Sequence, residues 1–304
     1  MPVGVIDCGT NSIRLLIADF ADDKFRELHR DMKIVRLGQG VDQTGQFHPE
    51  AIVRTLAAVD IFGEQLRACG VERVRFCATS ATRDASNRNL FLEGVNDRLG
   101  IYPEVISGDE EAALSFQGAT REAPSEQAPY LVVDIGGGST EFVFGREEVE
   151  KAKSVNIGCV RISERHFKSD PPSGAEIVAA TNDIRAAIAD AAGLVPITSA
   201  KTLIAVAGTA TTVAAAALNL KEYDRNAIHL SHISAQKVCE VSAMFLAMRR
   251  EARANLGYMH PGRVDVITAG ALVLSQVLIA TGANEFIASE SDILDGMAWE
   301  LATR

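Results

Sequence analysis

The sequence has 304 residues, of which 47% are hydrophobic and 23% are charged, as in an ordinary soluble globular protein. This length is enough for two domains that each bury a hydrophobic core. The net charge of −10 argues against general binding to nucleic acid or to an anionic membrane, although a polyanionic substrate can still bind at a locally positive site.

The cysteine content indicates a reducing compartment. The sequence contains five cysteines, Cys8, Cys69, Cys77, Cys159 and Cys239. None of them has metal-ligand spacing, so we expect reduced, mostly buried thiols in a cytoplasmic protein. The chain begins Met-Pro-Val-Gly without a basic leader. The most hydrophobic long segment, residues 264–283, contains Asp265 and Gln276 and is predicted to be a buried helix rather than a membrane span.

The first half of the chain is predicted to alternate strands and helices. In chain order we expect a hairpin of Val3–Ile6 and Ile13–Phe20, a strand over Lys24–Arg36, a helix over Pro49–Ala68, a strand over Val74–Ala78, a helix over Asn87–Leu99 and a strand over Pro103–Ile106. Ser107 then suits the N-cap of a further helix, whose first turn would contain Asp109, Glu110 and Glu111. A favourable interaction with the helix dipole could be the whole role of these carboxylates.

The second half repeats this plan after a linker. Residues 121–129 contain two prolines and no periodicity, which predicts domains over 1–122 and 123–304, although the last helix could pack on the first domain. The elements expected in the second half are a hairpin over 132–144, a strand over Lys151–Asn156, helices over Ile162–Phe167 and Ala175–Ala192, a strand over Thr202–Ala207, an Ala-rich helix opening at Gly208, helices over Ala235–Arg250 and Val264–Ala283, a strand over Phe286–Ser289 and a helix over Ile293–Leu301. Both halves therefore predict α/β domains with mixed sheets.

One motif occurs twice: an apolar strand, an aspartate, a polar glycine-rich turn and a second apolar strand. The first copy contains Asp7, Gly9, Thr10, Asn11 and Ser12, and the second contains Asp134, Gly136, Gly137, Gly138, Ser139 and Thr140. Such a turn can offer backbone N–H groups to a phosphate while the aspartate holds a cation, or it can be a hairpin turn that binds nothing. The repetition predicts two similar domains that grip a phosphate across a cleft.

A third small, polar turn at Gly208 and Thr209 completes the set. The three turns resemble the phosphate-1, phosphate-2 and adenosine motifs of the actin-like ATPase superfamily. The segments 7–14, 106–112, 133–141, 158–161, 205–210 and 291–296 more closely resemble the exopolyphosphatase and guanosine pentaphosphate phosphohydrolase family. This resemblance covers nearly the whole chain. It implies two actin-like (ribonuclease H-like) α/β domains, with mixed sheets flanked by helices and the active site in the interdomain cleft.

The resemblance also implies an activity and roles for individual residues. Members of the family hydrolyse the terminal phosphoanhydride of inorganic polyphosphate, usually with Mg²⁺, and some convert pppGpp to ppGpp. Glu111 matches the catalytic base, with Glu110 as its competitor. Asp134, Glu141 and Asp7 would hold Mg²⁺ or another divalent cation. The substrate would contact Gly9, Thr10, Asn11, Ser12, Arg14, Arg83, Gly136, Gly137, Gly138, Ser139, Thr140, Gly208 and Thr209.

Some of these assignments leave alternatives open. Arg83 matches an arginine near the substrate and suits bidentate phosphate contact, but it could be a solvated loop charge. Arg14 and Arg161 could each point into the cleft or outward. The six histidines show no convincing metal spacing and are expected to be structural or at the surface. His229 and His232 would be neighbours on a helix, but no carboxylate partner supports a site there.

Several functions remain in competition at this point. The chain resembles the short, two-domain form of the family, which favours short polyphosphates or a homodimer that completes a longer channel. A pppGpp 5′-phosphohydrolase would use the same residues. A non-catalytic sensor of polyphosphate or of guanosine penta- or tetraphosphate is a third possibility, opposed by the intact Glu111 and Asp134. A sugar or acetate kinase on the same fold is disfavoured by segment 107–112.

Overall fold

The computed structural model describes residues 2–21 and 24–303. The strands are β1 (Val3–Cys8), β2 (Ser12–Ala21), β3 (Lys24–Ile34), β4 (Arg73–Ala78), β5 (Glu104–Val105), β6 (Tyr130–Ile135), β7 (Thr140–Gly145), β8 (Val149–Val155), β9 (Thr202–Val206), β10 (Ser231–Ser234) and β11 (Glu285–Ala288). The helices are α1 (Val41–Thr44), α2 (Pro49–Ala68), α3 (Ser80–Asp84), α4 (Asn89–Leu99), α5 (Gly108–Thr120), α6 (Cys159–His166), α7 (Gly174–Ala192), α8 (Ala207–Ala217), α9 (Arg225–Ile228), α10 (Ala235–Ala247), α11 (Arg250–Ala254), α12 (Ile267–Thr281) and α13 (Ile293–Thr303). Short 3₁₀ turns occur at Ser125–Gln127 and Pro261–Arg263.

The chain forms two compact units. Unit 1 comprises Met1–Leu114 and Ile293–Arg304, and unit 2 comprises Ser115–Asp292. The division falls inside α5, whereas the sequence-based boundary at 122/123 follows the end of that helix. The difference arises because α5 continues without a break through the division, so no change in chain conformation marks it.

Unit 1 contains a five-stranded mixed sheet in the order β3-β2-β1-β4-β5. β1 pairs antiparallel with β2 and parallel with β4, and β4 pairs parallel with β5. Ile6 and Phe76 pack in one apolar cluster, with Phe62 of α2 and Phe91 of α4. Val5, the neighbour of Ile6, packs in a second cluster with α13, because successive side chains of a strand point to opposite faces. Both faces of this sheet are therefore covered.

The helix α13 approaches α5 closely within unit 1. A Cβ atom placed on Gly296 would lie 2.1 Å from the carbonyl oxygen of Leu114, so only glycine fits here. Ile293, Leu294 and Met297 are buried in the cluster that contains Val5. The contacts of α13 explain why residues far apart in the sequence belong to one unit.

Unit 2 contains a six-stranded mixed sheet in the order β10-β11-β9-β6-β7-β8. β6 is antiparallel to β7 and parallel to β9, and β9 is parallel to β11. The series β8-β7-β6-β9-β11 reproduces the order and directions of β3-β2-β1-β4-β5. The predicted α/β class with two mixed sheets is thus confirmed, and β10 is an addition specific to unit 2.

The core of unit 2 is built around α12. Its residues are buried along most of its length, and α7, α8 and α10 pack against it. The prediction of a buried helix in this segment is confirmed. Within the described parts of the chain, none of the helices combines the length and the apolar character that crossing a bilayer would require.

Several local predictions were wrong. His229 and His232 do not share a helix: His229 is the C-cap of α9, and His232 lies on β10 with Nδ1 2.8 Å from Glu285 Oε1. The sequence did not indicate β10 because Ser231–Ser234 contains one apolar residue. The helix expected from Ile162 begins at Cys159. All five cysteines are free, as predicted.

Candidate active site

Three predicted site segments meet at one edge of the unit 1 sheet. The parallel strands β1, β4 and β5 end together, where the N–H of Thr79 donates to Cys8 O (3.1 Å) and the N–H of Ile106 donates to Ala78 O (3.2 Å). The turn after β1, the helix α3 after β4 and the helix α5 beyond β5 therefore lie side by side. Ligands of open α/β sheets bind at this carboxyl edge.

The first glycine-containing turn, residues 9–12, is held from behind by its carbonyl groups. The loop over residues 35–38 supplies the donors: Gly38 N to Thr10 O (2.9 Å), and Val35 N and Arg36 N to Asn11 O (3.0 and 2.9 Å). In a trans peptide the carbonyl and the following N–H point in opposite directions, so the N–H groups of Asn11 and Ser12 face away from that loop. The buried atoms Thr10 Oγ1 and Asn11 Oδ1 have no hydrogen-bond partner, which suits a site awaiting a ligand.

Asp7 and Arg14 face each other across the first hairpin. They are cross-strand partners in β1 and β2, and Arg14 donates to Asp7 Oδ2 from Nη2 (2.7 Å) and Nε (3.1 Å). Asp7 is 5% exposed. The residue expected to bind metal and the residue expected to bind substrate thus form an ion pair at the start of the turn.

Glu111 lies in the first turn of α5 and faces Arg83 of α3. Nη1 of Arg83 donates to Glu111 Oε2 (2.7 Å) and to Ile106 O (3.0 Å). Arg83 is therefore anchored at the sheet edge and is not a solvated loop charge. Glu110, the competitor for the role of base, points instead to Arg75 on β4, with its Oε1 2.9 Å from Nη2. Ser107 caps the helix by accepting the N–H of Glu110 (3.1 Å).

The second turn, residues 136–139, is held in the same way by the start of α6. The donors are Cys159 N to Gly136 O (2.9 Å), and Val160 N and Arg161 N to Gly137 O (2.9 and 3.1 Å). The N–H groups of Gly137 and Gly138 consequently point away from α6. A Cβ atom on Gly158 would lie 2.2 Å from Gly137 O, so this glycine permits the contact.

Arg161 completes the support of the second turn. Its Nε donates to Gly138 O at 2.7 Å, and the residue is 8% exposed. This contact directs the N–H of Ser139 away from the guanidinium. Arg161 is therefore a structural partner of the turn. The hydroxyl of Thr140 also has a local partner, the carbonyl of Ile157.

Asp134 and Glu141 bring two buried carboxylates together in unit 2. They are cross-strand partners in β6 and β7, with exposures of 6% and 0%. Ser115 Oγ donates to Asp134 Oδ2 (2.6 Å), and Ser154 Oγ donates to Glu141 Oε1 (2.7 Å). Two adjacent carboxylates repel each other unless a cation or a proton is present.

These carboxylates fit a Mg²⁺ site that the substrate helps to build. Over residues 2–21 and 24–303, no three His, Cys, Asp or Glu side chains form a cluster that could hold a metal ion. Mg²⁺ is commonly held by one or two carboxylates, several waters and substrate phosphates, so a pair such as Asp134 and Glu141 is sufficient.

The third turn opens α8 after β9. Ala207, the first residue of α8, has φ +66°, a left-handed conformation that is costly for a residue with a side chain. Thr209 is buried where α6 and α8 begin side by side, and a Cβ atom on Gly270 of α12 would lie 2.6 Å from Thr209 Oγ1. Gly270 thus allows the two helix ends to meet.

Arg263 is a neighbour of this turn that the sequence analysis missed. A Cβ atom on Gly208 would lie 2.4 Å from the Arg263 guanidinium carbon, so the guanidinium packs against the glycine. Its Nη1 also donates to Thr212 Oγ1 (3.2 Å). No signal in the sequence distinguishes this arginine, because the contact joins residues far apart in the chain.

Comparison with known proteins agrees with this arrangement. The chain belongs to the Ppx/GppA phosphatase family, whose sequence model matches residues 16–304. It is 47% identical to Exopolyphosphatase 2 of Mycobacterium tuberculosis, over 99% of this chain and 98% of that protein. The fold is the actin-like α/β fold of this family.

Two further comparisons cover different lengths. A crystal structure of an exopolyphosphatase-like protein superposes with a TM-score of 0.96 at 41% identity, and it covers 100% of this chain and 99% of the other. A guanosine-5′-triphosphate,3′-diphosphate pyrophosphatase of Vibrio atlanticus is 38% identical over 54% of this chain and 33% of that protein.

Proposed function

We propose that the protein is an exopolyphosphatase, which hydrolyses the terminal phosphoanhydride of inorganic polyphosphate and releases orthophosphate. The observation that carries this proposal is the Glu111 carboxylate beside Arg83, at the same sheet edge as the turn over residues 9–12. Similarity over the full length to Exopolyphosphatase 2 supports the same substrate class. We propose that units 1 and 2 are the two actin-like domains of the enzyme and that short chains are preferred.

The second candidate is a pppGpp 5′-phosphohydrolase. The similarity to the Vibrio pyrophosphatase favours it, but over about half of this chain. Both substrates end in the same phosphoanhydride, so the same base and the same turns would serve either reaction. The group beyond the first phosphates decides between them.

In the proposed reaction Glu111 takes a proton from a water molecule. The water oxygen bonds to the terminal phosphorus while the bridging P–O bond breaks, which yields orthophosphate and a chain one phosphate shorter. Hydrolysis of this kind needs orientation and charge neutralisation more than covalent help. The Arg83 guanidinium carries five N–H donors, so it can contact a phosphate oxygen in addition to Glu111.

The glycine-rich turns would bind the phosphate oxygens. The N–H groups of Asn11, Ser12, Gly137, Gly138 and Ser139 face away from the segments that hold their carbonyl groups, and such oriented dipoles cost no reorganisation during the reaction. Asp134 and Glu141 would hold a divalent cation, with Asp7 as a further candidate. When bound, that cation would neutralise charge on the phosphate oxygens.

Phosphate release is the test of this proposal. Wild type and Glu111→Gln are compared on short polyphosphate, long polyphosphate and pppGpp with Mg²⁺. We expect release from short polyphosphate by the wild type and a loss of about 10²–10⁴-fold in the variant, because glutamine keeps the shape but removes the base. Glu110→Gln is the matched control, since glutamine can still accept a hydrogen bond from Arg75.

Each other outcome has a definite meaning. Faster release from pppGpp would favour the second candidate, and no release from any substrate would favour a sensor. Unchanged activity of Glu111→Gln would contradict the assignment of the base. Phosphate release only with an added acceptor would point to a kinase. A cytoplasmic location, a homodimer, the lack of nucleic-acid and membrane partners and an active site in an interdomain cleft stay predictions.

A further inference from the structure

Arg75 is a buried arginine outside the predicted site that joins three elements of unit 1. It lies on β4 and is 8% exposed. Its guanidinium donates to three carboxylates: Nε to Glu104 Oε2 (3.0 Å), Nη1 to Glu300 Oε2 (2.7 Å) and Nη2 to Glu110 Oε1 (2.9 Å). These carboxylates come from β5, α13 and the first turn of α5. One side chain therefore ties the start of α5 to the sheet.

The tie to Glu110 has a geometric consequence for the next residue. With 3.6 residues per turn, consecutive side chains of an α-helix point about 100° apart. When Glu110 is turned towards Arg75, Glu111 is directed to a different side, where it meets Arg83 at 2.7 Å. The two arginines thus sort two adjacent carboxylates of one helical turn.

Removal of Arg75 would undo this sorting. Glu104, Glu110 and Glu300 would then be like charges around an uncompensated site, and Glu110 would move away. Burial of Arg75 opposes its charge, but the hydrogen bond and charge of Glu104, with the charge of Glu300, outweigh it and raise the pKa of the guanidinium. Arg75 is therefore a cation at every pH at which the enzyme would work.

We propose that Arg75 is a positioning residue for catalysis: by holding Glu110 it fixes the rotation of the first turn of α5 and directs Glu111, and not Glu110, towards the substrate. This proposal rests on the proposed function, because it takes Glu111 as the base. It assigns to Arg75 a role in turnover that does not involve contact with the substrate.

The test compares variants that break different contacts of the same guanidinium. Arg75→Met and Glu110→Ala break the contact with α5, whereas the control Glu104→Ala breaks a contact with β5 and leaves Glu110 in place. We expect kcat for polyphosphate to fall by about 10–100-fold in the first two with KM within about twofold, since misplacement of a reacting group by 1 Å can cost about 10²-fold. Glu104→Ala should keep the kcat of the wild type.

Double variants and stability measurements separate positioning from folding. Arg75→Met combined with Glu110→Ala should be no slower than Arg75→Met alone, because both changes break one contact. Arg75→Met should have no further effect on kcat in the Glu111→Gln background. Kinetics are measured well below the unfolding temperature of each variant. Equal losses in Glu104→Ala and Glu110→Ala, or losses that multiply in the double variant, would overturn the proposal.

A second readout covers failure of the proposed function itself. If the wild type releases no phosphate, that function is refuted, and the carboxyl ¹³C NMR titration of Glu111 is compared in wild type and Arg75→Met. A changed titration would support the positioning of Glu111 by Arg75. An unchanged titration would overturn it whatever the activity.

Discussion

Asp134 and Glu141 lie directly opposite each other on β6 and β7, so two buried carboxylates share one face of the second hairpin. In the first hairpin Asp7 takes the place of Asp134, but its cross-strand partner is Arg14, which lies 2.7 Å away. The duplication keeps the aspartate and reverses the charge opposite it. Like charges opposite each other destabilise a sheet, so the second hairpin has the greater need of a cation.

This difference predicts a specific dependence on metal. Glu141→Gln should raise the Mg²⁺ concentration for half-maximal phosphate release about tenfold or more, because one of two charges is lost. Ser154→Ala should give a smaller shift in the same direction, since Ser154 orients Glu141. The control is Glu150→Gln on β8, whose partner is Arg146. Mg²⁺ titrations that coincide for wild type and Glu141→Gln would remove Glu141 from the cation site.

The support of the second turn by Arg161 predicts a loss of substrate affinity. Arg161→Met removes the donor to Gly138 O, a hydrogen bond to a charged group worth about 1.5–3 kcal/mol. We expect KM for polyphosphate to rise about tenfold or more. Arg165→Met is the matched control, because Arg165 is on the same helix but contacts Asp183. Equal KM values for the two variants would mean that the turn keeps its shape without Arg161.

The left-handed conformation of Ala207 predicts that glycine is better tolerated there than alanine. Relief of the strain exceeds the extra entropy that glycine loses on folding, so Ala207→Gly should raise the free energy of unfolding by about 0.5–1 kcal/mol. The same change at Ala210, inside α8, should lower it by about 1 kcal/mol. Urea unfolding measures both. Destabilisation by Ala207→Gly would show that residue 207 carries no backbone strain.

The capping box of α7 predicts a component of stability that acid removes. Hydrogen bonds from Ser169, Ser173 and Lys168 lower the pKa of Glu176 from its ordinary value of 4.5 to about 2. A carboxyl group with a lowered pKa in the folded state stabilises the protein above its unfolded pKa and loses that contribution as the pH falls through the folded value. Glu176→Gln should therefore be less stable than wild type at pH 6, with a gap that narrows towards pH 2. Urea midpoints across this range measure the gap, and a constant gap would contradict the assignment.

The sequence was sufficient to predict the elements that depend on local pattern. The repeat of an aspartate before a glycine-rich turn led correctly to two sheets with the same strand order, because hairpins are defined by neighbouring residues. The periodic apolar positions of Pro49–Ala68 predicted α2 with the bounds that it has. The Ser107 cap of α5 was also evident from the sequence.

The features that were missed depend on contacts between distant residues. The start of α6 at Cys159 is set by the carbonyl groups of Gly136 and Gly137, which accept the first N–H groups of the helix. The roles of Arg161 and Arg263 follow from the atoms that their guanidinium groups reach. The preference of Glu110 for Arg75 could not be seen either, because those residues are 35 positions apart.

The packing of α13 has a consequence for synthesis of the chain. Its side chains fill a cluster around Val5, so the first strand to leave the ribosome waits for residues 293–303 before its surroundings are complete. Unit 2 is continuous from Ser115 to Asp292 and has no such dependence. The middle of the chain can therefore mature during translation, while the nascent β1 region stays exposed to chaperones and proteases until nearly 300 residues have been made.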